Sequence, residues 1–146
     1  IDTIHILIPS RFYVYTLLDV CTRWAYAAVV ERIRVRETLL FVRQAKNVSP
    51  FPFHMLQSDH GSEFSQGFTL NVGISHRHSR VRTPNDNAHL ERFNRTLQEE
   101  CLDLVRPSIS PYQKAIDEYL QYYNNERLHK GLNYETPLER FQAIEF

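Results

Sequence analysis

Three short runs rich in β-branched and aromatic residues open the chain and leave few folds to choose from. Asp2 to Ile8 alternates imperfectly and is rich in isoleucine, Phe12 to Val20 reads FYVYTLLDV, and Trp24 to Val30 reads WAYAAVV. Only Pro9-Ser10 and Cys21-Thr22-Arg23 separate them, so the three predict an antiparallel meander. Arg36 to Asn47 follows with helix formers, and Leu39, Val42 and Ala45 or Val48 fall at helical spacing, as for a helix packed on a sheet. Ser49-Pro50-Phe51-Pro52 ends it, and Phe53 to Gln57 reads as a short buried strand reaching Ser58-Asp59. A meander, a helix and another strand predict a mixed sheet. In it the fourth strand lies parallel beside the first, by a right-handed crossover, with Asp2 and Asp59 on neighbouring strands.

Farther along, Ser65 to Asn71 predicts a short helix. Ile74 to Ser79 predicts an edge strand whose His76 and His78 share a face toward solvent or DNA. Pro84-Asn85-Asp86 starts a helix with Asn85 or Asp86 as N-cap, and Leu90, Phe93, Leu97, Cys101 and Leu104 form its apolar stripe. Glu91 falls off that stripe and shares a polar face with Asn87, Arg95 and Gln98. Ser110-Pro111-Tyr112-Gln113 and Thr136-Pro137-Leu138-Glu139 both read as capping-box helix starts. Between them, the tyrosines at 122 and 123 suit packing, while Arg127, His129 and Lys130 are candidates for DNA or partner contact.

A length of 146 residues suits one domain with one sizeable core. No apolar run approaches the ~20 residues a membrane span needs, and no signal peptide precedes the first strand pattern, so an intracellular protein is expected. Cys21 and Cys101 are far apart and form no CxxC pair, which argues against a disulfide framework or a cysteine zinc site and predicts reduced, largely buried thiols. The formal net charge of +0 argues against a nucleic-acid binder. Its distribution does not. Between Asn71 and Gln98 lie five arginines and two acids, whereas Glu99 to Glu126 carries six acids against Arg106 and Lys114. A neutral domain can therefore present one basic face.

The stretch from Ser58 to Asn94 carries the chemistry. Asp59 ends an apolar run, Glu91 lies on the helix predicted to start at Pro84, and arginine-rich sequence lies between them. Two acids framed by bases suggest a metal site that handles phosphate, since Mg²⁺ takes oxygen ligands and keeps water and substrate phosphate in its shell. A third acid is then expected elsewhere.

SDHGSEF, then PNDNAHLERFNRTLQEE, then YNNERLHKGLNYETP, in this order, resemble the catalytic core of DDE transposases and retroviral-type integrases, nearest the bacterial insertion-sequence branch. The resemblance runs from about Ile1 to about Phe141. It implies an α/β, RNase H-like fold: a five-stranded mixed sheet, antiparallel meander plus parallel strands, flanked by helices. It implies a catalytic core over residues 1–146 with its flanking DNA-binding domains elsewhere. The implied activity is DNA cleavage and strand transfer with two Mg²⁺ or Mn²⁺ ions, by a homo-oligomer acting on mobile-element ends and target DNA in the bacterial cytoplasm.

Asp2, Asp59 and Glu91 are the implied catalytic and metal-binding acids, because the family's first acid sits on its first strand. Asp19 is the rival, although LLDVCTRW reads as a hairpin where its carboxylate bonds the turn and pairs with Arg23. Arg77, Arg80, Arg82, Asn87, Arg92 and Arg95 are the expected DNA contacts. The chain departs from the family in one respect: 31 residues separate Asp59 from Glu91, about three fewer than usual. The shortfall lies between Phe64 and Gly73 and amounts to about one helical turn. Two alternatives stay open, a nuclease or resolvase without strand transfer and a non-catalytic DNA-binding or oligomerisation module.

Overall fold

The three opening runs form the expected meander. Strands β1 (Asp2–Ile6), β2 (Phe12–Leu18) and β3 (Ala25–Val30) pair antiparallel in that order, with Asp2 opposite Thr16 and Thr16 opposite Ala27. The structure, a computed structural model, describes residues 1–7 and 10–144, the Pro84 side chain excepted. Ile8, expected in the first strand, and Pro9, expected in the turn after it, lie outside the described residues. Asp19 closes the turn between β2 and β3. Its Oδ2 accepts from the Thr22 nitrogen at 2.8 Å and the Thr22 hydroxyl at 2.7 Å.

Successive strand residues point to opposite faces, and β2 is divided accordingly. Phe12 and Val14 pack with Ile4, Ala25 and Ala27 against α3 (Ala88–Glu100) and α4 (Ile109–Asn125). Tyr15 and Leu17 pack with Trp24 and Ala28 against α1 (Val35–Val48) and α2 (Gln66–Asn71). Burial on both faces explains why β2 reads as a near-continuous apolar run.

Strands β4 (Met55–Ser58) and β5 (Ser75–His78) pair parallel. The five strands, their senses and the helices on both faces are those expected. The contact of β4 with β1 is narrower than expected: the Ile1 nitrogen donates to the Gln57 carbonyl at 2.9 Å, and the strands pair as groups of three and two, not as one ladder. With Ile1 opposite Gln57, β1 starts where β4 ends, and the two share little length.

The helices refine the sequence reading. The stripe of α3 holds at Leu90, Phe93, Leu97 and Cys101, but Leu104 is 77% exposed and Leu102 is buried in its stead. The helix stops at Glu100 and a 3₁₀ turn over Leu102–Leu104 breaks the period. Of the cysteines, Cys21 is exposed, contrary to expectation; Cys101 is buried, and desolvation pushes its thiol up to about 11. Helix α4 takes Ser108 as its N-cap, which puts Ser110 and Pro111 inside its first turn. The capping box of α5 (Pro137–Ile144) forms as read: the Thr136 nitrogen donates to Glu139 Oε2 at 2.8 Å and the Glu139 nitrogen to the Thr136 hydroxyl at 3.1 Å. Among the described residues, no helix is long and apolar enough to cross a membrane.

The YNNERLH stretch is a clasp inside the protein. Asn124 accepts from the Ala25 nitrogen and donates to the Ala25 carbonyl, both at 2.9 Å. Arg127 donates twice to Glu100, at 2.9 and 2.6 Å, and His129 packs edge-on against Tyr123. Arg127 thus joins the end of α4 to the end of α3, and His129 folds the chain back onto α4. Replacing Asn124 with alanine leaves both Ala25 backbone groups without these partners, so it is expected to lower unfolding stability by about 2 kcal/mol. Lys130→Ala, at an exposed position, is expected to stay within about 0.5 kcal/mol. Urea unfolding measures both, and an unchanged midpoint for Asn124→Ala would return the motif to a surface role.

Candidate active site

Alternation along β1 turns Asp2 and Ile4 to the face covered by α3, and Thr16, opposite Asp2 on β2, points the same way. Asn94 of α3 meets both. The Thr16 hydroxyl donates to Asn94 Oδ1 at 2.7 Å, and Asn94 Nδ2 donates to Asp2 Oδ2 at 3.0 Å. Thr16 is fully buried and Asp2 half-buried. Burial raises the Asp2 carboxyl above the ordinary aspartate range, and the charge of Asp59 adds to the rise against hydrogen bonds from the Thr3 backbone and Asn94.

Asp59 lies exposed just past β4, where its Oδ1 accepts from the Gly61 nitrogen at 2.8 Å. The pairing of Ile1 with Gln57 brings the start of β1 to the end of β4, so Asp2 and Asp59 stand within electrostatic reach. Glu91 is exposed in the first turn of α3, one turn before Asn94. Among the described residues, no three His, Cys, Asp or Glu side chains are arranged to hold a metal ion, so the three acids are not gathered as a cluster. A third carboxylate beside two others meets like-charge repulsion, which a divalent cation offsets. The donor set fits such a cation chemically, being all hard oxygen, with the like charges of Asp2 and Asp59 within electrostatic reach of each other.

The other candidates fall elsewhere. The Asp19 carboxylate bonds the turn at Thr22, as expected, but not the side chain of Arg23. Glu63, which reads first as a helix-start acid and only second as a helper of the acids, is buried in a 3₁₀ turn and accepts from the Thr3 hydroxyl at 2.8 Å, on the face of β1 opposite Asp2. His76 and His78 share a face, as expected, but it is not turned to solvent. His76 bonds Ser58 and Thr69 at 2.8 and 2.7 Å, and His78 bonds the Phe64 carbonyl at 2.8 Å.

The arginines are of two kinds. Arg77 donates through Nε to Gln57 Oε1 at 2.8 Å. Arg80 clasps Asp86 with its backbone nitrogen, Nε and a terminal nitrogen, at 2.9, 3.2 and 2.9 Å, and these bonds hold the Asp86 carboxyl down to about 2. Arg82, Arg92 and Arg95 are exposed; Arg82 takes φ 59°, and Arg95 approaches Glu99 at 3.9 Å. Asn87, half-buried, takes a 3.3 Å bond from Gln57. The sequence reading missed Asn94, Thr16 and Gln57. Asn94 had a signal, because it lies three residues after Glu91 and so on the same side of the helix.

A three-stranded meander, a parallel pair and helices on both faces make an RNase H-like fold, that of integrase catalytic cores. The crystal structure of the BIV integrase catalytic core domain superimposes with a TM-score of 0.69 at 16% identity, covering 99% of this chain and 93% of that one. The cryo-EM structure of the simian T-cell lymphotropic virus intasome in complex with PP2A regulatory subunit B56 gamma gives 0.84 at 16% identity, over 99% of this chain and 54% of that one. Residues 72–137 match the integrase core domain family.

The chain is 28% identical to a putative integrase, ORF3, of Spiroplasma virus SpV1-C74, over 94% of its own length and 44% of the relative's. It is 29% identical to the transposase for insertion sequence element IS904 of Lactococcus lactis, over 89% and 56%. It is 35% identical to the putative transposase InsK for IS150 of Escherichia coli, over 64% and 35%. The chain spans about half the length of these curated relatives, or less. The resemblance read from its three motifs, to integrase and insertion-sequence transposase cores, is the likeness these comparisons find.

The raised Asp2 carboxyl has a stability consequence of definite sign. The folded chain holds this proton more tightly than the unfolded chain, so Asp2 favours the fold only below its unfolded value of about 3.9 and weighs against it once pH passes the higher folded value. Asp2→Asn is expected to raise the melting temperature of the metal-free protein at pH 7, with the gain shrinking as pH falls toward 4. Melting curves across that range check it; an equal gain at all pH values would mean that charge is not the cause.

Proposed function

We propose that this chain is a catalytic core domain that cleaves DNA and transfers strands, with Asp2, Asp59 and Glu91 as its carboxylates. The observation that carries the reading is the arrangement around Asp2: its carboxyl is raised by burial and by Asp59, and it is bonded by Asn94 from the helix that carries Glu91. The names of the similar proteins, integrase and transposase, support the same activity. Asp2, Asp59 and Glu91 would hold Mg²⁺ or Mn²⁺, the integrase core family being generally divalent-metal dependent. Two such ions, when bound, supply activation of a water or 3′-hydroxyl nucleophile and stabilisation of the leaving oxygen.

The chain's own groups do the rest. Asn94 keeps one oxygen of Asp2 bonded within the protein, so the carboxylate enters the site in a fixed orientation. Arg77, Arg82, Arg92 and Arg95, with Arg80 and Asn87 at the turn before α3, bind DNA phosphates and align the strand with the acids. The active form is a homo-oligomer on mobile-element ends and target DNA. The position of Glu91 favours a second reading, a DNA-binding module without catalysis, because its carboxylate is not gathered with the other two.

Glu91→Gln separates the two. The amide keeps size and helix propensity but removes the charge a divalent ion needs. Mn²⁺-dependent nicking or strand transfer is expected to fall by about 100-fold or more, with melting temperature and DNA binding unchanged. Nicking at the parent rate in the Gln variant would remove Glu91 from the site and leave the module reading. Arg77→Ala and Arg92→Ala are each expected to weaken DNA binding at every sequence and to lower the salt slope by about 1. Fluorescence anisotropy over a salt series measures this, and an unchanged slope would make those arginines a solvated face.

A further inference from the structure

The acids assigned above sit at three elements, and Gln57 of β4 bonds both the residue before β1 and the turn before α3. Gln57 lies two places before Asp59, and its carbonyl accepts from the Ile1 nitrogen beside Asp2. Its side chain reaches the start of α3. There Nε2 donates to the Asp86 carbonyl at 2.7 Å and to Asn87 Oδ1 at 3.3 Å, while Oε1 accepts from Arg77 Nε at 2.8 Å. A backbone carbonyl only accepts and a guanidinium only donates, so the carboxamide has one possible orientation.

Asp86 and Asn87 end the 3₁₀ turn over Pro84–Asn87, which runs directly into α3, and no side chain caps that helix. Its entry is therefore held from two sides. Gln57 bonds the Asp86 carbonyl, and Arg80 bonds the Asp86 carboxylate. Glu91 follows Asn87 by four residues, about one helical turn, so a shift of this entry is carried into the position of Glu91.

We propose that Gln57 is a positioning residue whose carboxamide sets the placement of α3, and with it Glu91, against the end of β4 that carries Asp59. This rests on the reading of Asp59 and Glu91 as metal-holding acids. Gln57 contacts neither metal nor DNA in this role. It acts through the backbone of Asp86, and the strut is broken by any side chain that cannot donate to a carbonyl. Methionine is close to glutamine in size and makes no such bond; glutamate keeps the acceptor for Arg77 but, when ionised, loses the donor to Asp86.

The test uses the protein with any segments that flank these residues. Mn²⁺ affinity is read from the free-ion electron paramagnetic resonance signal with a short DNA duplex present, and backbone protection over residues 84–93 by hydrogen exchange. Gln57→Met is expected to weaken Mn²⁺ binding about tenfold, to leave the nicking rate at saturating Mn²⁺ near the parent value, and to speed exchange over 84–93. Gln57→Glu is expected to speed the same exchange, and it serves where the methionine variant does not fold. Parent-like Mn²⁺ affinity in Gln57→Met, or parent-like exchange in Gln57→Glu, overturns the proposal. Asp59→Asn tells this failure from that of the underlying reading: if it too binds Mn²⁺ with parent affinity, the metal assignment itself is wrong.

Discussion

Burial of the central strand on both faces governs this structure. Because β2 has a packed layer on each side, its register against β1 cannot slip by one residue without turning Phe12 and Val14 into the layer built for Tyr15 and Leu17. Asp2 and Thr16 face α3 for the same reason that Ile4 and Val14 do, and Asn94 finds both in front of it. The apolar pattern thus orients a polar group that contributes nothing to the core. A carboxylate placed this way is desolvated, and the raised Asp2 carboxyl is the electrostatic consequence.

Two polar clasps complete the frame, and both use groups that the sequence offers as candidates for recognition. Arg127 with Glu100, and Asn124 with Ala25, fix the ends of α3 and α4 to each other and to the edge of β3. Arg80 with Asp86 fixes the entry of α3. The exposed arginines on α3, Arg92 and Arg95, are differently situated, with Arg95 only loosely near Glu99. Charge count alone does not separate these kinds of arginine; partner geometry does.

What the sequence made legible follows from how local each signal is. Periodicity located β2, α1 and the first three turns of α3, because burial on one or both faces leaves a pattern over consecutive residues. It carried the α3 stripe too far, to Leu104, since nothing in the spacing marks the turn after Glu100. The reciprocal bonds of Thr136 and Glu139 were legible for the opposite reason, being complete within four residues. Contacts of Gln57 with Asp86 and of Thr16 with Asn94 link residues far apart in the chain, and no local pattern announces them. His76 and His78 were placed on a common face by alternation, but which side of the sheet that face met was decided by α2 and the turn before it.

The Arg80 clasp bears on how any anion would be received at this turn. Arg80 already holds a carboxylate in two-point contact, the geometry it would offer a phosphate. An anion that took this two-point geometry would have to displace the Asp86 carboxylate, a cost that a free surface arginine does not impose. The salt released on binding comes from counterions condensed on the phosphates, so the cost of displacing Asp86 falls on affinity and not on salt dependence. Loss of the clasp also frees one of the two ties on the entry of α3. Displacement of Asp86 from Arg80 would therefore leave the entry of α3 held by Gln57 alone.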